Sequence, residues 1–145
     1  MNLFYIIALA AFLPTVGIGQ TVDRPLVASA TDVVLADLMW IKRPLVVFAD
    51  SPDDPNFIRQ MLLLDRNASD LADRDVLVIT DTDPSAKSAI RQKLRPRGFS
   101  LVLMDKDGQA KLRKPLPWDV REITHAIDRF PLVRLEKLER YPAGR

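Results

Sequence analysis

The apolar residues of the chain follow two kinds of pattern, which alternate along most of its length. Two runs are continuously apolar and rich in β-branched residues, which is typical of strands buried on both faces. These runs are Arg43–Asp50 and Asp75–Asp81. Elsewhere apolar residues recur every three or four positions, which predicts amphipathic helices. The predicted helices cover Ala28–Trp40, Pro55–Leu71, Pro84–Arg95 and Pro117–Phe130.

A hairpin is predicted between the last two of these helices. Asp107 and Gly108 separate the apolar stretch Phe99–Met104 from a shorter one, Gln109–Arg113. An Asp-Gly pair favours the left-handed backbone of a tight hairpin turn. The order of elements therefore predicts one α/β domain over residues 28–138, in which an N-terminal helix precedes a β-α-β-α-β-β-α core. Its four-strand sheet is mixed, because the two buried strands are joined through a helix and should be parallel.

Both ends of the chain lie outside this predicted domain. The uncharged apolar segment Leu3–Leu13 is broken by Pro14 and followed by small residues, which is the layout of a secretory signal peptide. We predict that residues 1–19 are a signal removed after Gly19, and that the protein is periplasmic or extracellular. The uncharged stretch Leu3–Gly19 is at the short limit for a membrane span, which leaves an uncleaved anchor as the alternative. Residues 139–145 are predicted to form a flexible, charged tail.

The amino-acid composition excludes several classes of functional site. None of the 145 residues is cysteine, which excludes disulfides, thiolate nucleophiles and zinc–thiolate centres in this chain. The single histidine, His125, excludes a metal site built from several histidines. The 21 basic and 19 acidic residues nearly balance, so no general field for nucleic acid or for a membrane surface is implied. No cofactor or metal is predicted, and the oligomeric state stays open.

The order of elements resembles the thioredoxin-like fold over roughly Pro44 to Phe130. In that superfamily the redox CxxC pair follows the first core strand, where this chain has the residues Ser51-Pro52-Asp53-Asp54. The superfamily's cis-proline before the third core strand is matched here by Ser100. The resemblance therefore implies the fold without thiol–disulfide exchange or peroxide reduction. Because cis peptide bonds are essentially confined to proline, Ser100 is expected to be trans.

A narrower resemblance rests on two separated motifs. "RPLVVFADSPDDPNFIRQ" and "LRPRGFSLVLMDKDGQAKLRKPLPWDV" resemble a family of short exported bacterial proteins of unknown function. That family is similar to the extracellular DUDES domain, which is also thioredoxin-like without the cysteine pair. The resemblance implies a fold and an extracellular or periplasmic setting, and it brings no established activity.

A candidate binding site follows from the predicted topology, because open α/β sheets bind ligands at the carboxyl ends of their parallel strands. The residues expected at this edge are Asp50, Ser51, Asp53, Asp54, Asp81, Asp83, Arg95, Arg97 and Ser100. Converging carboxylates suit a hard cation. An arginine pair instead suits a phosphate or a carboxylate.

Structural roles compete with these interpretations. Asp54 and Asp83 each precede a proline, which is the pattern of a helix N-cap followed by proline at the first helical position. Arg95 and Arg97 also fit solvated charges or ion-pair partners. A catalytic triad of Ser51, His125 and an aspartate is not expected, because the last helix has no reason to reach the end of the first core strand.

Three functions are compatible with these observations. The main hypothesis is an exported, non-redox module that binds a protein partner or a small anion at the former active-site edge. An alternative is a metal-dependent or carboxylate-based enzyme that uses Asp50, Asp53, Asp54 and Asp81, which requires those carboxylates to converge. The third is a structural component of the envelope or matrix.

Overall fold

The computed structural model describes residues 26–142, so the predicted signal segment lies outside the described residues. Five strands form the sheet: β1 Val27–Ser29, β2 Arg43–Phe48, β3 Val76–Asp81, β4 Ser100–Met104 and β5 Ala110–Lys114. Six α-helices surround it: α1 Leu35–Leu38, α2 Pro55–Arg66, α3 Ala68–Ala72, α4 Ala89–Leu94, α5 Val120–Ile127 and α6 Pro131–Arg140. Two 3₁₀ turns complete the list, Ala30–Asp32 and Pro84–Ala86.

The sheet is mixed, with the strand order β1-β3-β2-β4-β5. Strands β2 and β3 are parallel and in register from Arg43 opposite Val76 to Phe48 opposite Asp81. Strand β4 runs antiparallel to β2, and β5 antiparallel to β4. The predicted α/β fold, its parallel strand pair and its hairpin are therefore confirmed.

The N-terminal part of the domain differs from the prediction. The helix predicted over Ala28–Trp40 is wrong for most of its length, because residues Val27–Ser29 form β1 and a 3₁₀ turn follows. Strand β1 pairs in parallel with β3 and adds a fifth strand to the sheet. Its hydrogen bonds to β3 are tertiary, so they override the local helical pattern. Only α1, a single turn, remains of the predicted helix.

Three further elements differ from the prediction, each at a residue whose backbone conformation departs from the predicted element. The helix predicted over Pro55–Leu71 divides at Asn67, where the backbone leaves the helical region. The helix predicted from Pro84 becomes a 3₁₀ turn and the separate helix α4, because Lys87 between them adopts a left-handed φ of 48°. The hairpin has a five-residue loop rather than a tight two-residue turn, with Gly108 at a φ of 77°.

The C-terminal helix extends beyond the predicted domain. Helix α6 continues through Glu139 and Arg140, which belonged to the predicted tail. It contributes Val133 to the core. None of the helices between residues 26 and 142 is long and apolar enough to cross a membrane.

Both faces of the sheet are covered by helices, which explains why the middle of each central strand is apolar. Leu45 and Val47 of β2 pack into a core with side chains of α2, α3, α5 and α6. Val46 and Phe48 point to the opposite face and pack with side chains of α4 and the segment around α1. Alternate residues of one strand thus enter two separate cores, and neither face is left for polar side chains.

A buried arginine closes one end of the sheet. Arg43, at the start of β2, is only 1% exposed. Its Nε donates to Asp105 Oδ1 at 2.9 Å, its Nη1 to the carbonyl oxygen of Arg74 at 3.0 Å, and its Nη2 to Glu136 Oε1 at 2.9 Å. One side chain therefore joins the hairpin loop, the turn before β3 and helix α6.

Further ion pairs extend this cluster. Lys106 Nζ donates to Asp75 Oδ2 at 2.7 Å and lies 3.0 Å from Glu136 Oε1. Burial alone would raise the pKa of Glu136, but the hydrogen bonds from Lys106 and Arg43 outweigh burial and lower it. Burial likewise opposes the lowered pKa of Asp75, where the hydrogen bond and charge of Lys106 dominate. Both carboxylates are thus held in the ionised form.

Replacing Arg43 with methionine is expected to destabilise the fold strongly. The substitution leaves Asp105, which is 1% exposed, as a buried charge without its counter-ion. Breaking a buried pair from one side costs about 3–5 kcal/mol. Urea unfolding of Arg43→Met should show this loss, and Arg59→Met on the exposed surface of α2 should stay within about 0.5 kcal/mol of wild type. An equal, small effect of both substitutions would contradict the structural role of Arg43.

Stability is expected to fall in acid, in part through Glu136. Its pKa is lower in the folded than in the unfolded chain, so the unfolded chain binds more protons as the pH falls. The contribution is complete above about pH 5.5 and is lost as the pH drops through the lowered folded-state pKa. Urea midpoints between about pH 6 and pH 3 should decline less steeply for Glu136→Gln than for wild type. Parallel declines would show that Glu136 does not carry the effect.

Candidate functional site

The acidic loop after β2 is organised as the start of a helix. The Asp54 side chain accepts a hydrogen bond from the backbone N–H of Asn56 at 2.8 Å, and Pro55 occupies the first turn of α2. The predicted capping role of Asp54 is confirmed. Ser51 Oγ accepts from the backbone N–H of Asp53 at 3.1 Å, which shapes the turn. The side chains of Asp50 and Asp53 are exposed.

Asp81, at the end of β3, is held inside the fold. It is 6% exposed and accepts from Arg91 Nη2 at 2.9 Å and from Ser88 Oγ at 2.6 Å. The same Arg91 nitrogen also donates to the carbonyl oxygen of Ala49 at 2.9 Å, and the guanidinium lies 5.4 Å from the ring centroid of Phe48. The Asp81–Arg91 pair therefore fastens α4 to the ends of both parallel strands.

The remaining carboxylate of this edge caps the 3₁₀ turn. Asp83 accepts from the backbone N–H and the hydroxyl of Ser85, and the hydroxyl hydrogen bond is the main reason that the pKa of Asp83 is lowered. Its predicted capping role is confirmed. Among residues 26–142 no three His, Cys, Asp or Glu side chains form a group that could hold a metal ion. The carboxylates of this edge do not converge as the metal-dependent alternative requires.

A groove opens beside the acidic loop, at the start of β4, and we call it the arginine groove. Its volume is about 470 Å³. It is lined by Leu94, Arg95, Arg97, Phe99, Ser100, Arg113 and Pro115. The predicted Arg95, Arg97 and Ser100 are thus brought together here, whereas Asp50, Ser51, Asp53 and Asp54 do not line it. Ser100 is buried opposite Phe48 of β2, and no described peptide bond is cis, so Ser100 is trans as expected.

The charge of the groove is uncompensated by the residues that line it. Three of the lining residues are arginines and none is acidic. Within the described part of the chain, no carboxylate lies in ion-pair distance of Arg95, Arg97 or Arg113. Arg113 Nη2 donates to the carbonyl oxygen of Leu94 at 2.6 Å, which fixes its guanidinium against the end of α4. Leu94 and Phe99, 8% and 7% exposed, provide an apolar floor.

Arg95 occupies a backbone position at which glycine is the usual residue. It ends α4 in the left-handed conformation, with a φ of 48°. A side chain in this conformation costs about 1–2 kcal/mol. In this conformation Arg95 is one of the residues that line the groove.

Arg113 was not among the predicted site residues. Its place in the groove depends on the pairing of β4 with β5, which sets Arg113 opposite Val102 and next to α4. The sequence does show an excess of basic residues in the segment that contains Arg113. From Lys87 to Lys114 nine residues are basic and two are acidic, a local excess that the near balance of the whole chain hides.

Trp118 and His125 lie outside the lining of the arginine groove. The side chain of Gln60 forms two hydrogen bonds with the backbone of Trp118. Gln60 Nε2 donates to the carbonyl oxygen of Trp118 at 2.8 Å, and the backbone N–H of Trp118 donates to Gln60 Oε1 at 2.7 Å. Lys114 Nζ lies 4.4 Å from the Trp118 ring centroid. His125 is exposed in the last turn of α5.

Comparison with known proteins identifies the family. Residues 34–136 match the family model described as Domain of unknown function (DUF4174). The chain belongs to this family. A search of curated proteins gave no match for this DUF4174 chain.

Solved structures with the same fold include two from Plasmodium yoelii. One is thioredoxin peroxidase I, and the other is Prx1a modified at the N-terminus, described as an artifactual octamer. Each has a TM-score of 0.52 and 19% sequence identity, and each alignment covers 78% of this chain, with 83% of the first structure and 84% of the second. At this identity the likeness shows the thioredoxin-like fold alone. A thiol reaction has no residue to perform it here, because the chain contains no cysteine.

Replacing Asp81 is expected to affect stability far more than replacing its exposed neighbour Asp50. Asp81→Asn leaves the largely buried Arg91 guanidinium without a counter-charge, which should cost about 3 kcal/mol or more. Asp50→Asn changes an exposed side chain and should stay within about 0.5 kcal/mol of wild type. Urea unfolding measures both. Similar values for the two variants would show that the Asp81–Arg91 pair does not hold this edge together.

Proposed function

We propose that this DUF4174 chain is an exported, non-redox, thioredoxin-like module that binds an anionic ligand in the arginine groove. The observation that carries the proposal is the convergence of Arg95, Arg97 and Arg113 on one groove that no carboxylate lines. Export is supported by the signal-like layout of residues 1–19. The likeness to the DUDES domain stays a prediction.

The groove lies at the edge where thioredoxin-like proteins carry their redox pair. Ser100, which lines it, pairs with Phe48, and the loop Ser51–Asp54 follows shortly after that residue. This edge is where sheets of this type bind ligands. Loss of the cysteines removes the redox chemistry from this location and leaves a binding surface.

The lining residues define the class of ligand. Guanidinium groups present paired N–H donors that match the oxygens of a carboxylate or a phosphate. Leu94, Phe99 and Pro115 offer an apolar surface for the carbon skeleton of the ligand. The volume of about 470 Å³ lies within the usual range for small-molecule sites. The groove is therefore suited to a compact molecule with more than one anionic group.

Citrate and phenyl phosphate should raise the melting temperature of the wild-type chain. A ligand at a hundred times its dissociation constant adds about 2.7 kcal/mol to the free energy of unfolding. For a domain of this size that corresponds to a rise of several degrees, roughly 2–8 °C per kcal/mol. Arg95→Ala/Arg97→Ala should lose most of this shift, because two of the three guanidiniums are absent.

A matched control removes the same number of charges elsewhere. Arg129→Ala/Arg134→Ala changes two exposed arginines outside the groove and should keep the full shift. Equal shifts in both double variants would contradict the proposed site. A shift with Ca²⁺ or Mg²⁺ that disappears in Asp50→Asn/Asp53→Asn would instead support the carboxylate-based alternative.

A further inference from the structure

The sheet ends on a strand with an open edge. Strand β5 pairs with β4 on one side and is the last strand of the sheet. In an edge strand, alternate backbone N–H and C=O groups point away from the sheet and can pair with another extended chain. The pairing of β5 with β4 shifts register between Leu103 and Met104, so the regular part of β5 that offers backbone donors and acceptors is Leu112–Lys114.

The side chains of β5 give this edge a positive charge. Arg113 lies on the face of the sheet that carries α4, as its contact with Leu94 shows, and Lys111 is exposed at the register shift of the strand. Lys114 lies on the other face, where it contacts Trp118. The one carboxylate in contact with these side chains within the described residues is Asp107, 3.0 Å from Lys111 Nζ.

The positive edge continues into the arginine groove. Arg113 belongs to both, and Arg95 and Arg97 add their positive charges to the groove that Arg113 lines. Past Pro115 the chain presents Leu116, an apolar side chain that is 63% exposed. An extended ligand lying along β5 would thus meet basic side chains first and then an apolar one.

We infer that β5 and the arginine groove together bind an extended acidic segment of a protein partner, which adds to the sheet as a sixth strand. The inference rests on the proposed function, because Arg113 serves both the groove and the strand. Backbone hydrogen bonds to β5 would supply affinity, and carboxylates of the segment would meet the basic side chains of Lys111 and Arg113.

The charges on β5 also determine which strands of other chains cannot pair with it. Basic residues on an edge strand prevent pairing with a second, identical edge, because like charges would face each other. An acidic strand reverses this repulsion. The same residues therefore oppose self-association and select an acidic partner.

A fluorescent peptide of alternating Glu and Thr residues tests the inference against the full chain. The peptide should bind, and its fluorescence anisotropy should rise with protein concentration. N-methylation of two adjacent central residues keeps every charge but removes one N–H from each edge of the peptide strand. This change should weaken binding about tenfold or more, because strand pairing loses hydrogen bonds. Amide NMR signals of Ala110–Lys114 should shift with the unmodified peptide.

Charge-reversal variants provide the matched comparison. Lys111→Glu/Arg113→Glu should weaken binding of the peptide by about tenfold or more, whereas Arg129→Glu/Arg134→Glu should change it by less than about twofold. Failure of the peptide to bind, equal binding of the N-methylated peptide, or tighter binding of single-stranded DNA would overturn the inference. If citrate still raises the melting temperature in that case, the proposed anion site survives and only the sixth strand is wrong.

Discussion

The fold depends on a guanidinium that is almost completely withdrawn from water. A buried charge is costly unless it is paired and hydrogen-bonded, so each partner of Arg43 stabilises the fold. Those partners come from the hairpin loop, the turn before β3 and the C-terminal helix, which are far apart in the sequence. Burial of the start of β2 therefore depends on contacts with these three elements, and α6 is an integral part of the domain.

The opposite end of the sheet also contains a hydrogen-bonded arginine, Arg91, close to two arginines whose side chains have no such partners in the described part of the structure. Arg91 is neutralised by Asp81 and receives further acceptors from the backbone, so it serves the structure. Arg95 and Arg97, only a few residues later, have no such carboxylate among the described residues. Three arginines that are close together in the sequence thus divide into one structural charge, Arg91, and two available charges, Arg95 and Arg97. The presence of an acidic partner, rather than position in the sequence, marks the difference.

Much of the fold was predictable because strands that are buried on both faces, such as β2 and β3, have continuous apolar runs in the sequence. Asp54 and Asp83 were predictable as caps because each precedes a proline. Strand β1 was not predictable, since its three residues form a strand only through pairing with β3. The Asp81–Arg91 pair and the place of Arg113 in the groove depend on a left-handed turn at Lys87 and on the pairing of β4 with β5. Neither can be obtained from local periodicity.

The uneven distribution of charge has a kinetic consequence. The segment from Lys87 to Lys114 carries nine basic and two acidic residues, although the whole chain is nearly neutral. If β5 and the arginine groove bind an acidic segment as inferred, attraction between the opposite charges would make encounter faster than random collision allows. At an ionic strength near 0.15 M the screening length is about 8 Å, so this guidance acts over short distances and weakens as salt increases.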